Sequence, residues 1–503
     1  MSMPAEHLTH LPTLDQLLDG IAEAPALDVE GIACDSRRVG PGYVFLAVAG
    51  LTHHGIDFWS RAVEAGCIAM VYDSTTAPAL PDEPGVPMIA APGLGEQLGE
   101  IANRFYDRPS ESLGVIGVTG TNGKSTVAWM LAAALSHLGA RAGYNGTLGY
   151  GVDDIVNDDE MTSPDVIELH RRLADFRDAG ATYAAIEVSS HALDQRRVDG
   201  VRFDATLFTN LSRDHLDYHG SMRDYGEAKA KLFTEHRARR RVINLDSEFG
   251  TELASRCRGD VITVSTKFDR VANGRPYVFV RSVVARERGS EICVQSSYGD
   301  ICFELAMPGE FNVANAVLVL GYLCASGIEL GDAASALAAI SAPPGRMQRV
   351  NAPGPGVYVD YAHTPGALEV VLRALRSHCR GKLWCVFGCG GDRDAGKRPL
   401  MGRIAERLAD QLVITNDNPR SEDPAAIVEA IVAGMKKPDR ATVIEDRGAA
   451  IAWAIAYAND KDVVLVAGKG HENYQLIDGV RLDFSDYGAA LANLEARDSR
   501  GDA

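Results

Sequence analysis

Short apolar runs punctuate this chain, and the residues between them decide how each run reads. In the first hundred residues the runs at 43–48, 67–72 and 86–90 are bounded by turn formers and read as strands, with a helix at 59–65. Asp107-Arg-Pro-Ser110 reads as a linker, because Pro and Ser punctuate the chain there. A second block opens with a continuous apolar run at 113–118, the pattern of a buried strand. Glycines follow, then a helix from Lys124 to Leu138 that Gly139 would stop. Further strands are predicted at 183–188, 205–208 and 242–245.

Pro343-Pro344-Gly345 marks the next boundary. Beyond it, strands at 357–361, 383–388, 411–415 and 463–467 are each followed by a polar loop and a helical pattern. Strands that alternate with helices imply largely parallel sheets covered on both faces. The expected fold is therefore α/β in three domains, at 1–108, 109–341 and 342–503. The first is a smaller α/β domain, the second a parallel sheet of the P-loop ATPase kind, and the third a Rossmann-like doubly wound sheet. A length of 503 residues suits that number. Ligands of such sheets sit at the carboxyl ends of the strands, so the polar loops there are where chemistry is expected.

Composition narrows the picture. The formal net charge is −18, and Lys and Arg are spread out with no aromatic-interleaved basic stripe, which argues against a nucleic-acid partner. An anionic substrate would need a locally positive site. No apolar run reaches the roughly 20 residues that span a bilayer, and Met1 to Asp15 lacks the layout of a signal peptide. The nine Cys show no Cys-x-x-Cys spacing, so free thiols in a reducing cytoplasm are expected. Cys385 and Cys389, the closest pair, read as a strand residue and a loop residue.

The segment Gly117-Val-Thr-Gly120-Thr121-Asn122-Gly123-Lys124-Ser125-Thr126 lies between a strand and a helix. Glycines let successive N–H groups turn toward phosphate oxygens, and the helix N-terminus adds partial positive charge. Lys124 can neutralise the β- and γ-phosphates, and Ser125 or Thr126 can reach Mg²⁺. The strict pattern has Gly where Val118 stands, so the loop is a variant. Glu187 ends a strand in Ala185-Ile-Glu-Val-Ser-Ser-His191, a position suited to a Mg²⁺ ligand. Asp214-His215-Leu-Asp217-Tyr-His219 could be mistaken for a zinc site, but Mg²⁺ prefers oxygen ligands, and the nearby phosphate loop argues for nucleotide-bound Mg²⁺.

Read as a unit, Thr119-Gly-Thr-Asn-Gly-Lys-Ser125 resembles the Mur ligase family, and the resemblance covers nearly the whole chain except about 251–301, where no motif is found. It implies UDP-binding, ATPase and amino-acid-binding domains in that order. It also implies a monomeric, cytoplasmic ATP-dependent ligase of peptidoglycan precursor synthesis, and so of cell shape and division. Glu187 and His215 match the family's metal ligands, with Ser125 beside them. Lys229, in Tyr225-Gly-Glu-Ala-Lys229, matches its carbamylated lysine (N6-carboxylysine).

Ser36, Thr52 and His53 resemble its uridine-nucleotide contacts. Thr162 and Ser163, where the family has a Thr pair, together with Ser189, Gln195 and Arg197, resemble its contacts to a UDP-N-acetylmuramoyl dipeptide. Asn312 resembles the adenine-side motif, Arg346 a charge-stabilising residue delivered by closure, and Asp360 the ribose ligand. Asp417-Asn418-Pro419-Arg420 resembles the signature of the branch that adds meso-2,6-diaminopimelate, and Arg393, Gly468 and Glu472 match further amino-acid contacts. A guanidinium suits the extra carboxylate that separates diaminopimelate from lysine. The competing expectations are a lysine-adding or folylpolyglutamate-type relative and a catalytically silent sensor of the UDP-precursor and ATP.

Overall fold

A computed structural model describes residues 11–50, 52–156, 162–267 and 274–501. The segment that lacks a signal-peptide layout lies, up to residue 10, outside the described residues. The chain forms two compact units, Met1–Thr263 and Val264–Ala503.

The first unit opens with a parallel sheet in the order β1 (Gly31–Ala33), β2 (Tyr43–Ala47), β3 (Ala69–Tyr72) and β4 (Met88–Ala90). Apolar residues from β1 to β4 and from the helix Leu94–Phe105 build its core, among them Val44, Leu46, Val71 and Phe105. Asp107-Arg-Pro-Ser110 is more ordered than a linker. It turns through two left-handed residues into the short helix Pro109–Ser112, with Ser110 buried beneath the amide of Arg202.

The second sheet of this unit contains β5 (Gly114–Thr119), β6 (Ala142–Gly146), β7 (Gly149–Gly151), β8 (Tyr183–Glu187), β9 (Phe203–Phe208), β10 (Ala238–Asn244) and β11 (Asp260–Ser265). Their order is β7-β6-β8-β5-β9-β10-β11. The neighbours from β6 to β10 run parallel, and β7 turns back antiparallel. β5 is central and buried on both faces, which is why its sequence is a continuous apolar run rather than an alternation.

In the second unit β12 (Tyr277–Arg286), β13 (Gly289–Ser296) and β14 (Gly299–Leu305) form an antiparallel meander across the stretch where the sequence shows no motif. The expectation of free thiols throughout needs correction here. Cys293 and Cys302 are bonded as a disulfide, while seven cysteines are free. The physical reason is register: the two residues face each other across β13 and β14, so their side chains share one face of the pair.

Beyond the meander lie β15 (Gln348–Arg349), β16 (Gly356–Asp360), β17 (Leu383–Phe387), β18 (Gln411–Ile414), β19 (Ala441–Val443) and β20 (Val463–Ala467). They form a sheet in the order β15-β16-β20-β17-β18-β19, parallel apart from β15. β20 lies between β16 and β17, so the strand order reverses there and the loops after β16, β17 and β20 open beside one another. A hairpin of β21 (Tyr474–Ile477) and β22 (Val480–Asp483) follows. Among the described residues, no helix is long and apolar enough to cross a membrane.

Candidate active site

The phosphate loop follows β5 and enters the helix Lys124–His137 through Gly123 at φ 88°. Gly120 sits at φ 149°, and a Cβ there would lie 1.9 Å from Thr209 Oγ1, so no side chain fits. The chain after β9 braces the loop. Thr121 N–H donates to Asn210 O (2.9 Å), Asn122 N–H to Asn210 Oδ1 (3.0 Å), and Thr209 Oγ1 to Asn122 O (2.6 Å). Lys124 Nζ folds back onto Gly120 O (3.0 Å) and Thr121 O (2.9 Å). Ser125 and Thr126 are buried in the first turn of the helix.

Glu187, at the end of β8, is 2% exposed. Its Oε1 accepts from Tyr144 Oη (2.6 Å) and Thr147 N–H (2.8 Å), and its Oε2 from Ser125 Oγ (2.9 Å) and Thr147 Oγ1 (3.2 Å). A phosphate-loop hydroxyl and a carboxylate therefore lie side by side, an all-oxygen pair that fits Mg²⁺. Tyr144 and Thr147 carry no sequence motif, and sequence reasoning missed both.

Five of the acceptor residues named from sequence form one network with Glu187. Thr162 Oγ1 meets Thr147 Oγ1 (3.1 Å), Ser163 Oγ donates to Glu187 O (3.0 Å), and Ser189 N–H donates to Ser163 Oγ (3.2 Å). Arg197 Nη1 donates to Ser163 O (2.9 Å) and its Nη2 to Gln195 Oε1 (2.6 Å). Ser36 is buried in the turn after β1, while Thr52 and His53 are exposed in the turn after β2. These turns follow the carboxyl ends of adjacent parallel strands.

His215 is half exposed at φ 50° beside Asp214. Its ring lies 5.0 Å from that of His191, which in turn lies 4.2 Å from Tyr218. Burial and the neighbouring His215 and His219 hold His191 below the usual imidazole range. His191 was visible in the Ser-Ser-His run but given no role.

Lys229 is 1% exposed on the helix Met222–Thr234. Its Nζ donates to Gly120 O (2.8 Å) and lies 4.4 Å from the centre of the Tyr225 ring. Among the described residues no carboxylate is ion-paired with it. Burial, and then the charge of Lys124, push its amine well below the usual lysine range.

In the second unit, Asn312 is buried near the start of the helix Glu310–Ala325, with Nδ2 on Pro308 O (2.9 Å). Asp360, buried at the end of β16, accepts from Met347 N–H (2.7 Å) and Ala362 N–H (2.8 Å), so its carboxylate fixes the turn that carries Arg346. Burial pushes Asp360 up to about 6 against the pull of Arg346 and these N–H groups. The Arg346 guanidinium lies over Tyr361, 4.7 Å from the ring centre, and its buried Nε has no hydrogen-bond partner among the described residues.

The loops after β17, β18 and β20 bring together the residues expected to hold an amino acid. Arg420, at φ 55°, is tied through its main chain to β21, and its Nη1 donates to Gly391 O (2.8 Å). Arg393 is exposed in the same Gly391 loop. Asp417 Oδ1 accepts from Asn418 N–H (2.7 Å), and Pro419 is buried. Gly468, at φ 118°, leaves room for Asp417, whose Oδ2 would lie 2.6 Å from a Cβ there. Glu472 Oε2 accepts from Asn418 Nδ2 (2.9 Å) and Lys469 Nζ (2.8 Å). Arg447, which sequence reasoning missed, is fully buried against Asp486 and donates to Asn416 O (3.2 Å) and Ala467 O (2.9 Å). It therefore pins the starts of two of these loops.

A phosphate loop on one parallel sheet, and a doubly wound sheet with charged strand-end loops, define a nucleotide-using α/β enzyme. Family models sharpen that class. The model for the Mur ligase family catalytic domain matches residues 28–106. That for the Mur ligase middle domain matches 118–323, and that for the Mur ligase glutamate ligase domain matches 345–470. The chain is 47% identical over 470 residues to the UDP-N-acetylmuramoyl-L-alanyl-D-glutamate--2,6-diaminopimelate ligase of Pseudomonas aeruginosa, covering 93% of this chain and 95% of that one. It is 45% identical over 493 residues to the protein of the same name from Chromobacterium violaceum, covering 97% and 98%. A solved structure of a ligase of that name matches with a TM-score of 0.73 at 32% identity, covering 97% of this chain and 99% of that one. The chain belongs to the Mur ligase family.

Proposed function

We propose that this chain joins meso-2,6-diaminopimelate to the D-Glu γ-carboxylate of UDP-N-acetylmuramoyl-L-alanyl-D-glutamate, using ATP, in peptidoglycan precursor synthesis. The names and coverage of its relatives support the reaction. The single observation that carries the choice of amino acid is Arg420, a partly buried guanidinium at the carboxyl end of β18. Its Nη1 is spent on Gly391 O (2.8 Å) and Asn418 O (3.5 Å), and the fork of Nε and Nη2 suits a distal carboxylate. With lysine that guanidinium would go unpaired, at a cost of about 1–3 kcal/mol.

In this reading the γ-carboxylate attacks the γ-phosphorus of ATP, ADP leaves, and an acyl phosphate forms. The amine of diaminopimelate then attacks the acyl carbon, the C–O bond to phosphate breaks, and the amine gives up a proton. Lys124 leaves the loop carbonyls to pair with phosphate oxygens, lowering the repulsion between two anions. Thr162, Ser163, Ser189, Gln195 and Arg197 hold the acceptor beside Glu187, and Ser36, Thr52 and His53 hold its uridine nucleotide. Asn312 and Asp360 face the nucleoside, and Arg346 meets the charge on the transferring phosphoryl group. Arg393, Asp417, Gly468 and Glu472 hold the amino acid with Arg420.

Ser125, Glu187, His215 and a carbamate on Lys229 would hold Mg²⁺, which when bound supplies charge neutralisation and alignment of phosphate oxygens. The surroundings of Lys229 support the carbamate. A buried ammonium without a carboxylate partner is costly, and only the neutral amine adds CO₂. Incubation with ¹³C-bicarbonate should give a carbamate signal that is lost in Lys229→Arg. No such signal in the native chain would exclude the modification.

The same reading makes the protein a cytoplasmic monomer with domains at 1–108, 109–341 and 342–503. The test is phosphate release with ATP, Mg²⁺, UDP-muramoyl dipeptide and either diaminopimelate or lysine. Release that depends on diaminopimelate supports the proposal. Equal or greater release with lysine would make it the lysine-adding relative, and none with either would leave a silent sensor.

A further inference from the structure

Gly468-Lys469-Gly470 has the look of a phosphate loop, but no Ser or Thr follows the lysine. In the fold its side chain is 0% exposed, where a lysine is rarely found unless paired. It is placed there by a turn with left-handed glycines on both sides, Gly468 at φ 118° and Gly470 at φ 57°. Its Nζ donates to Glu472 Oε2 (2.8 Å) and Asn418 Oδ1 (3.1 Å), and the Tyr474 ring lies 5.2 Å away.

The amide of Asn418 closes a triangle between the other two. Its Oδ1 accepts from Lys469 and from Leu476 N–H (3.0 Å), so its Nδ2 must face Glu472 Oε2 (2.9 Å). Both donors to the Glu472 carboxylate thus converge on Oε2, and Oε1 receives neither.

We infer that Lys469 is a positioning and specificity-determining residue of the amino-acid site, fixing Glu472 through Oε2 so that Oε1 meets the substrate's ammonium and balancing the charge of the pocket. The inference rests on the proposed function. Its second half follows from charge counting. Within the pocket Lys469 offsets Glu472, and with Arg393, Arg420 and Asp417 the site is not negative, which suits diaminopimelate, with two ammonium and two carboxylate groups. Lysine has one carboxylate fewer and enters as a net cation, so the buried ammonium disfavours it. Removing that ammonium leaves Glu472 mobile and narrows the preference for diaminopimelate over lysine.

The experiment measures kcat and KM for diaminopimelate and for lysine in the full chain, by phosphate release, for the native protein, Lys469→Met, Glu472→Gln and the double variant. Lys469→Gln, which keeps a donor but no charge, stands in if the Met variant does not fold. The KM for diaminopimelate should rise about tenfold at nearly unchanged kcat, and the diaminopimelate-to-lysine ratio of kcat/KM should fall about tenfold. The double variant should be no weaker than Glu472→Gln alone, because Lys469 acts through Glu472. Native turnover of diaminopimelate with an unchanged KM and ratio in Lys469→Met, or with fully additive losses, would overturn this inference alone. A native chain that releases no phosphate with diaminopimelate would overturn the functional proposal and this inference with it.

Discussion

Around the phosphate loop, charged groups are taken up by neutral partners of the loop and sheet. Lys124 and Lys229 both donate to Gly120 O, and the Glu187 carboxylate accepts from Tyr144, Ser125 and Thr147. In the strand-end loops of the second unit, by contrast, charged groups keep part of their capacity in reserve. Arg420 spends its Nη1 on two neighbouring carbonyls and keeps Nε and Nη2, Glu472 receives its donors on one oxygen, and before β15 Arg346 has a buried Nε with no partner among the described residues. The first arrangement suits chemistry common to every acyl phosphate, for which a rigid, pre-satisfied cradle only exchanges partners when phosphate arrives. The second suits discrimination, because a group left partly unpaired penalises any ligand that fails to complete it.

The largest effect should come from the first region. Lys124→Ala is expected to cut phosphate release by about 10³-fold with diaminopimelate and lysine alike. A loss confined to one amino acid would break the comparison. Arg420→Ala should lower kcat/KM for diaminopimelate by about 100-fold while leaving that for lysine nearly unchanged. Equal losses for both would make Arg420 structural.

Gly468→Ala sharpens the contrast on a smaller scale. It forces a side chain into a left-handed position against Asp417 Oδ2, so it should cost about 1–3 kcal/mol of stability and raise the KM for diaminopimelate but not that for ATP. Parallel increases in both would count against a local effect.

The smallest effect concerns stability alone. His170 is fully buried, and burial pushes its imidazole down to about 4. Below pH about 6.5 the unfolded chain takes up a proton that the folded chain refuses until about pH 4. Stability should therefore fall across that window by up to about 3 kcal/mol. His170→Gln should flatten that slope in chemical denaturation and leave phosphate release unchanged. An unaltered slope would show that His170 does not carry it.

The two regions were also unequally legible. The phosphate loop is contiguous and flanked by an apolar run and a helical pattern, so Gly120 to Thr126 could be read directly. β5, β8, β9, β10, β16, β17, β18 and β20 stood out for the same reason, since buried parallel strands are apolar throughout, whereas β6, β7, β11, β15 and β19 were not read. The Glu187 shell could not be read, because Tyr144 and Thr147 reach it from β6 and the following turn, across the sheet. Nor could the Cys293–Cys302 disulfide, which depends on the β13–β14 register and not on Cys spacing. Lys469 and Arg447 were hidden more simply, since a lysine between glycines and an arginine after a capping Asp look like solvated charges until burial is known.

The most direct test of the central claim uses UDP-muramoyl dipeptide labelled with ¹⁸O in the D-Glu γ-carboxylate, with ATP and diaminopimelate, and weighs the released phosphate. Passage through an acyl phosphate predicts one ¹⁸O in the phosphate for each tripeptide formed. Tripeptide formed with unlabelled phosphate, or labelled phosphate without tripeptide, would contradict the account.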